Sequence, residues 1–182
     1  MARKLHIPHA DFPYHVSARS HGGSWFRIPP DEVWRIMTRN LHFLTFAFDV
    51  KIHSFVLMGN HFHLLISTPK ANLSEAMNYL LRETAKDINR AAGTCNQVYG
   101  GRYCRSLITN SIYYSSAYKY VYRNPVTVGL SKTCEEYPYS TLRGILGLSK
   151  LPVPVAADPF IFDSCPEKTL QWLNTSPSTI NY

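Results

Sequence analysis

The sequence predicts an α+β fold: a ferredoxin-like (RRM-like) antiparallel sheet with helices on one side, a further helix after it, and an irregular tail. Three observations carry that expectation. Short runs rich in aromatic and β-branched residues alternate with longer segments of helical period. Their order is strand, helix, strand, strand, helix, strand, helix, and the first six are the elements of a split βαβ unit. Gly, Pro and Asn clusters stand at the boundaries between them.

Phe12 to Arg19 reads as the first strand, ended by His21-Gly22-Gly23. Pro29-Pro30-Asp31 opens a helix in which Val33, Trp34, Met37, Leu41 and Leu44 recur at helical spacing, fading near Phe46 to Asp49. Val50 to Leu57 and His61 to Ser67 are the second and third strands, a hairpin broken at Met58-Gly59-Asn60. Asn72 is placed to cap the next helix, with Glu75 at the capping-box position. Leu73, Met77, Leu80, Thr84, Ile88 and Ala91 lie along one side of it, and Ala91-Ala92-Gly93 ends it. Arg102 to Thr109 is the fourth strand, after a turn at Tyr99-Gly100-Gly101. Ser111 to Tyr122 is the last of the seven elements, expected to stop near Asn124-Pro125 because the residue before a proline is driven from the α region. From Ser131 onward Pro, Ser and Thr become frequent, and short helices are expected only near Tyr139 to Leu148 and Pro166 to Leu173. The expected division is a catalytic domain over residues 1–145 and a partly irregular tail over 146–182.

At 182 residues the chain suits one domain with a real core, and 45% hydrophobic and 13% aromatic residues are enough to form it. Lys and Arg outnumber Asp and Glu by 19 to 12, for a net charge of +7. That balance suits a polyanionic partner, although a basic domain without such a partner has the same balance. Cys95, Cys104, Cys134 and Cys165 form no Cys-x-x-Cys motif and read as reduced thiols. The first residues lack an apolar leader core, and no run approaches the ~18 apolar residues of a membrane span. A soluble, cytoplasmic, nucleoid-associated protein without a membrane partner is expected.

Side chains alternate along a strand, so His61 and His63 point one way while Phe62 and Leu64 point towards a core. Two imidazoles on one strand face form a preorganised two-nitrogen metal site; the other reading is a pair of surface or hydrogen-bonded histidines. Leu64-Leu65-Ile66-Ser67-Thr68 supplies neither the Glu of a cupin-like site nor the Asp and His of a binuclear hydrolase. Tyr120 and Asn124, four apart, share a helix face, and a carboxamide oxygen suits a hard cation. A phenol beside a cation and basic side chains ionises more readily and can attack a phosphodiester. Tyr113, Tyr114, Tyr118 and Tyr122 stand nearby, and the pattern alone does not choose among the tyrosines, although Tyr118 and Tyr122 pair on another face. Arg82, Lys86 and Arg90 form one helical stripe with Glu83 and Asp87 beside it, readable as phosphate contacts or as a solvated face with ion pairs. Arg102, Arg105 and Arg123 are further candidates for DNA contact, whereas His15 and His53 read as core or surface histidines.

The block Met58-Gly59-Asn60-His61-Phe62-His63-Leu64-Leu65-Ile66 resembles the histidine–hydrophobe–histidine motif of HUH-type single-strand transposases. Tyr120 through Leu130, YVYRNPVTVGL, resembles their catalytic-tyrosine block, and its Asn-Pro-Val form resembles the REP-associated tyrosine transposases of the insertion sequence 200-like superfamily. Tyr14 to Arg19 is similar to their first strand, and Asn89-Arg90 followed by Gly101-Arg102-Tyr103 to their helix-to-strand connection. The resemblance runs over residues 12 to about 145. It implies cleavage of single-stranded DNA beside a REP-like hairpin, with Mg2+ or Mn2+, through a covalent 5′-phosphotyrosine and a free 3′-hydroxyl. It makes His61 and His63 metal ligands, Tyr120 the nucleophile and Asn124 a third ligand, in a monomer or homodimer. Two departures are Gly59, where the family usually has Pro, and Asn124, where mobile relatives often carry Gln. Two competing readings are a non-catalytic ferredoxin-like nucleic-acid-binding module and a metal-dependent phosphodiesterase that uses water. An RNA-recognition sheet would show aromatics where His61 and His63 stand.

Overall fold

Both faces of one antiparallel sheet are covered by helices, and that double cover decides where polar side chains can sit. The computed structural model describes residues 8–156, 158 and 166–175. Strands β1 (Tyr14–Arg19), β2 (Lys51–Leu57), β3 (His61–Ser67) and β4 (Cys104–Leu107) form a sheet of order β2-β3-β1-β4. Every pairing is antiparallel, with Ser17 opposite His63 and Arg19 opposite His61. Helices α1 (Pro30–Ala47) and α2 (Leu73–Ala92) join the strands as a split βαβ unit requires. This is the α+β fold expected from the order of elements.

The first core lies between the sheet and the α1–α2 pair. Val16, Phe62, Leu64 and Ile66 enter it from alternate strand positions and meet Met37, Leu41, Leu44, Met77 and Leu80. The opposite sheet face carries a second core. There Val56 and Leu65 meet Tyr118, Val121 and Tyr122 of α3 (Ser111–Thr127) and Leu142 of α4 (Thr141–Ile145). Burial on both sides accounts for the unbroken apolar run Leu64-Leu65-Ile66, where a half-exposed strand would alternate. The segment after α3 also covers the β2 edge: Leu57 N–H donates to Tyr139 O at 3.0 Å, and Ala156 N–H donates to Ile52 O at 2.7 Å.

Several boundaries differ from the sequence expectation. Helix α3 does not stop before Pro125 but runs through it to Thr127. Pro125 cannot supply the amide bond to Val121 O, yet its ring is buried, and Leu130 N–H returns to Pro125 O at 2.8 Å to close the end. Asn124 therefore remains helical and keeps its face in common with Tyr120. Strand β4 is four residues long rather than eight, an exposed edge that pairs only with β1. Asn72 makes no side-chain cap; its Nδ2 donates to Phe48 O at 2.9 Å and ties the end of α1 to the start of α2. True side-chain caps stand at Asn110 and Ser140, which accept from Tyr113 N–H and Leu142 N–H. Gly93 ends α2 in the left-handed region at φ 63°, where a side chain would be strained.

Helix α5 (Pro166–Asn174) packs against α3 through the buried Leu173. Asn174 accepts from Cys134 N–H at 2.9 Å and donates to Glu135 at 2.8 Å. Cys95, Cys104 and Cys134 are free, and Cys165 lies outside the described residues, as do residues 1–7. Among the described residues no helix is long and apolar enough to cross a membrane.

Adjacent residues of β3 report on the two cores separately. Leu64→Ala and Leu65→Ala are each expected to lower stability by about 2–5 kcal/mol in urea denaturation, since each leaves a cavity in its own core. A loss at Leu64 with none at Leu65 would mean that α3 does not seal the second face.

Candidate active site

The second core ends at His61 and His63. Their rings lie 5.0 Å apart on the face that α3 crosses. From α3, the Tyr120 ring meets the His63 ring edge-on at 5.3 Å and the His15 ring at 5.6 Å. Tyr120 is 53% exposed, whereas Tyr118 and Tyr122 are 1% exposed. Burial thus turns the Tyr118–Tyr122 face inward and leaves Tyr120 on the open face. Tyr118 and Tyr122 pack on each other at 4.9 Å, and the Tyr122 hydroxyl bonds to Thr141 Oγ1 at 2.9 Å. Burial pushes both phenols well above the usual tyrosine range, and Tyr114 likewise. Tyr113 lies seven residues before Tyr120, about 10 Å back along the helix.

His15 joins the site. Its Nε2 bonds to Nδ1 of His63 at 3.0 Å, and the two rings stack at 5.2 Å. The sequence signal was the alternation of β1, which puts His15, Ser17 and Arg19 on one face. It becomes informative only when β1 is known to lie beside β3 with Ser17 opposite His63. Arg19 stands opposite His61, and its charge bears on that ring. Asn124 reaches His61 with its side chain, so the Tyr120–Asn124 face of α3 contacts both histidines of β3.

The imidazoles are held neutral. Burial, then the neighbouring His15 and His61, lowers the pKa of His63 to about 3. Burial lowers His15, and burial followed by Arg19 lowers His61 against an opposing bond from Asn124. Their ring protons are also constrained. Asn60 Nδ2 donates to Gly23 O at 2.6 Å, so Asn60 Oδ1 accepts from His61 Nδ1 at 2.7 Å. This leaves the lone pair on Nε2 of His61. In His63 the bond to His15 occupies Nδ1, and either ring can be the donor. Neutral rings, each with its Nδ1 engaged by a neighbour, fit the donor chemistry of a cation site. Among the described residues no group of three or more His, Cys, Asp or Glu side chains is placed to hold a metal. The donor set available here is two imidazoles and a carboxamide.

The basic candidates separate by location. Arg82, Lys86 and Arg90 lie on α2, which covers the other face of the sheet, and they pair with Glu83, Glu83 and Asp87 respectively. Arg105 sits over the Tyr103 ring, in register with the core residue Val16. Arg123 Nη1 donates to the carbonyls of Leu173, Asn174 and Thr175, holding the C-terminal end of α5. Arg102 shares an open cleft of ≈ 540 Å³ with Arg19, Ser17, Cys104 and His61. It thereby lines a cleft together with a site histidine. His53 is engaged elsewhere, bonded to Ser67 Oγ at 2.7 Å.

The depressed pKa of His63 has a signed consequence in metal-chelated protein. Between pH 6.5 and about 3 the unfolded chain takes up a proton that the folded chain refuses. The contribution of His63 to stability is therefore full above pH 6.5 and lost as the pH falls towards 3. An NMR titration should show the His63 ring neutral at pH 5; a midpoint near 6.5 would contradict the packing described.

The sequence matches the family model described as "Transposase IS200 like" over residues 31–124, from α1 through Asn124. The structure is similar to that of a REP-associated tyrosine transposase bound to a REP hairpin, with TM-score 0.66 and 19% identity over 90% of this chain and 96% of that one. A crystal structure of a candidate transposase from Deinococcus radiodurans aligns with TM-score 0.40 and 15% identity over 67% of this chain and 97% of that one. No curated protein matches the sequence. The first structural likeness shows a shared fold. The family match takes in His61, His63, Tyr120 and Asn124 and spans more than half of the residues, and on that match the chain belongs to the IS200-like transposase family.

Proposed function

We propose that this transposase cuts and rejoins single-stranded DNA beside hairpins, with Tyr120 as the nucleophile and Mg2+ or Mn2+ held by His61, His63 and Asn124. One observation carries the reading: the exposed phenol of α3 is packed edge-on against the buried, neutral His63, whose strand neighbour His61 is half-buried beside it. A module that only binds nucleic acid has no use for such a pair, and it would lose stability by burying it.

In the proposed step the Tyr120 oxygen attacks the scissile phosphorus as the phenol gives up its proton to solvent. The bond from phosphorus to the 3′ oxygen breaks, and that oxygen takes up a proton. One strand end is then a 5′-phosphotyrosine and the other a free 3′-hydroxyl. Attack by a 3′-hydroxyl on the phosphotyrosine reverses the step. Each direction exchanges one phosphoester for another, so no nucleotide cofactor is needed. A bound divalent cation would neutralise charge developing on the phosphate oxygens. Asn60 and His15 orient the two imidazoles by holding their Nδ1 atoms. Arg19 and Arg102 give the neighbouring cleft the charge to receive a phosphate backbone. The REP hairpin carried by the structural relative supports a hairpin substrate.

The test is an incubation with end-labelled, single-stranded hairpin DNA from the flanks of the gene. Wild type should give a denaturation-resistant protein–DNA band with Mg2+ or Mn2+ and none with EDTA. Tyr120→Phe should lose that band and more than about a thousandfold in cleavage rate, with stability changed by less than about 0.5 kcal/mol because the side chain is half exposed. Continued cleavage by Tyr120→Phe with Mg2+ present would assign the reaction to water.

A further inference from the structure

We infer that Trp25 is a stacking platform for one unpaired base of the DNA strand passing the candidate site. The indole is 70% exposed although one of its faces is covered. A Cβ built on Gly59 would lie 3.3 Å from Cδ2 and 3.3 Å from Cε2 of Trp25. These are the two ring-fusion carbons, and an atom can approach both so closely only from above the ring plane. Gly59 therefore backs one face of the indole, and the exposure belongs to the rest of the ring. A flat aromatic held from behind and open in front is what a base needs for stacking.

The loop that carries the platform is held in place before any ligand arrives. Phe26 N–H donates to Gly59 O at 3.1 Å, Ser20 N–H donates to Asn60 O at 2.8 Å, and Asn60 Nδ2 donates to Gly23 O. These bonds fasten the Trp25 loop to the turn that leads into His61. Gly59 is two residues from His61, at most about 7 Å along the chain, so one strand can touch both. Beside Trp25 lies a slot of ≈ 240 Å³ lined by Phe26, Met58, Leu130 and Tyr137. It is almost wholly apolar, which suits the faces of a base and offers no reading of its edges. The platform is thus expected to accept any base. Phe46, 74% exposed, lacks this setting: it lies at the end of α1 on the far side of the sheet, against His42. Gly59 also gains a reason. Any residue with a Cβ at this position, proline included, would press on the ring that Gly59 supports.

The inference rests on the reading that a single strand passes His61, and its test keeps the two apart. Binding of a 12-nucleotide dT strand and of a fully abasic strand of equal length is measured in EDTA, where no cleavage intervenes. Trp25→Ala should weaken dT binding by roughly 5- to 100-fold and leave abasic binding unchanged, and Trp25→Phe should stay within about threefold of wild type. Quenching of tryptophan emission by dT should fall sharply in both variants, because Trp34 is stacked on Phe55 and Trp172 lies under Lys119 on α5. Equal dT affinity in wild type and Trp25→Ala, or quenching undiminished in Trp25→Phe, would overturn the inference. A Tyr120 adduct that forms normally while dT binding ignores Trp25 removes the platform and leaves the reaction. Trp25-dependent binding without any adduct removes the reaction and leaves the platform.

Discussion

The site depends on the stripe of Tyr118, Val121 and Tyr122 that α3 buries against Val56 and Leu65. Each such side chain contributes about 1.5–3 kcal/mol when fully buried, so together they fix the rotation of the helix about its axis. Turning α3 by one residue, about 100°, would expose Tyr118 and drive another face into the core. The hydroxyl of Tyr122 sharpens this setting, because Thr141 Oγ1 binds it while also bonding to the backbone of Phe55. With that rotation fixed, Tyr120 has one place to go, over the rings of His63 and His15, and Asn124 lies one turn further along beside His61. Pro125 belongs to the same constraint. Its buried ring lets the helix continue past Asn124 instead of releasing that side chain into a loop.

The second face of the sheet is apolar where α3 and α4 cover it and polar where they stop. His63 stands at the border, 6% exposed, and neutrality makes its burial tolerable. Its remaining polar demand is met by His15, as that of His61 is met by Asn60. The arrangement keeps both imidazoles uncharged at neutral pH. Arg19 brings positive charge within reach of His61 without forming part of the buried cluster. An anionic strand approaching this border meets charge first and neutral donors behind it.

Much of this was legible in the sequence, and unevenly so. The sharing of a face by His61 and His63 follows from the two-residue period of a strand, which holds whatever packs against it. The element order yielded the antiparallel sheet for a similar reason, since short connections limit what consecutive elements can do. Tyr120 was different. Tyr113, Tyr114, Tyr118, Tyr120 and Tyr122 share one side-chain chemistry, and which of them faces inward is decided by the partner surface of β2 and β3 rather than by α3 itself. His15 was missed because its place in the cluster depends on β1 lying beside β3, a fact of tertiary order. The end of α3 lies beyond Pro125 because local steric preference before a proline is weaker than burial of the proline ring. Asn72 was expected at a cap, but Phe48 O competes for its side chain from a part of the chain 24 residues away.

Packing presents one tyrosine out of several to the histidines of β1 and β3. Proteolysis of the trapped protein–DNA species, followed by mass spectrometry of the nucleotide-bearing peptide, tests it directly. The nucleotide mass is expected on Tyr120 alone, on a peptide from α3. Nucleotide attached to Tyr113, Tyr118 or Tyr122, or to a residue outside α3, would contradict the account.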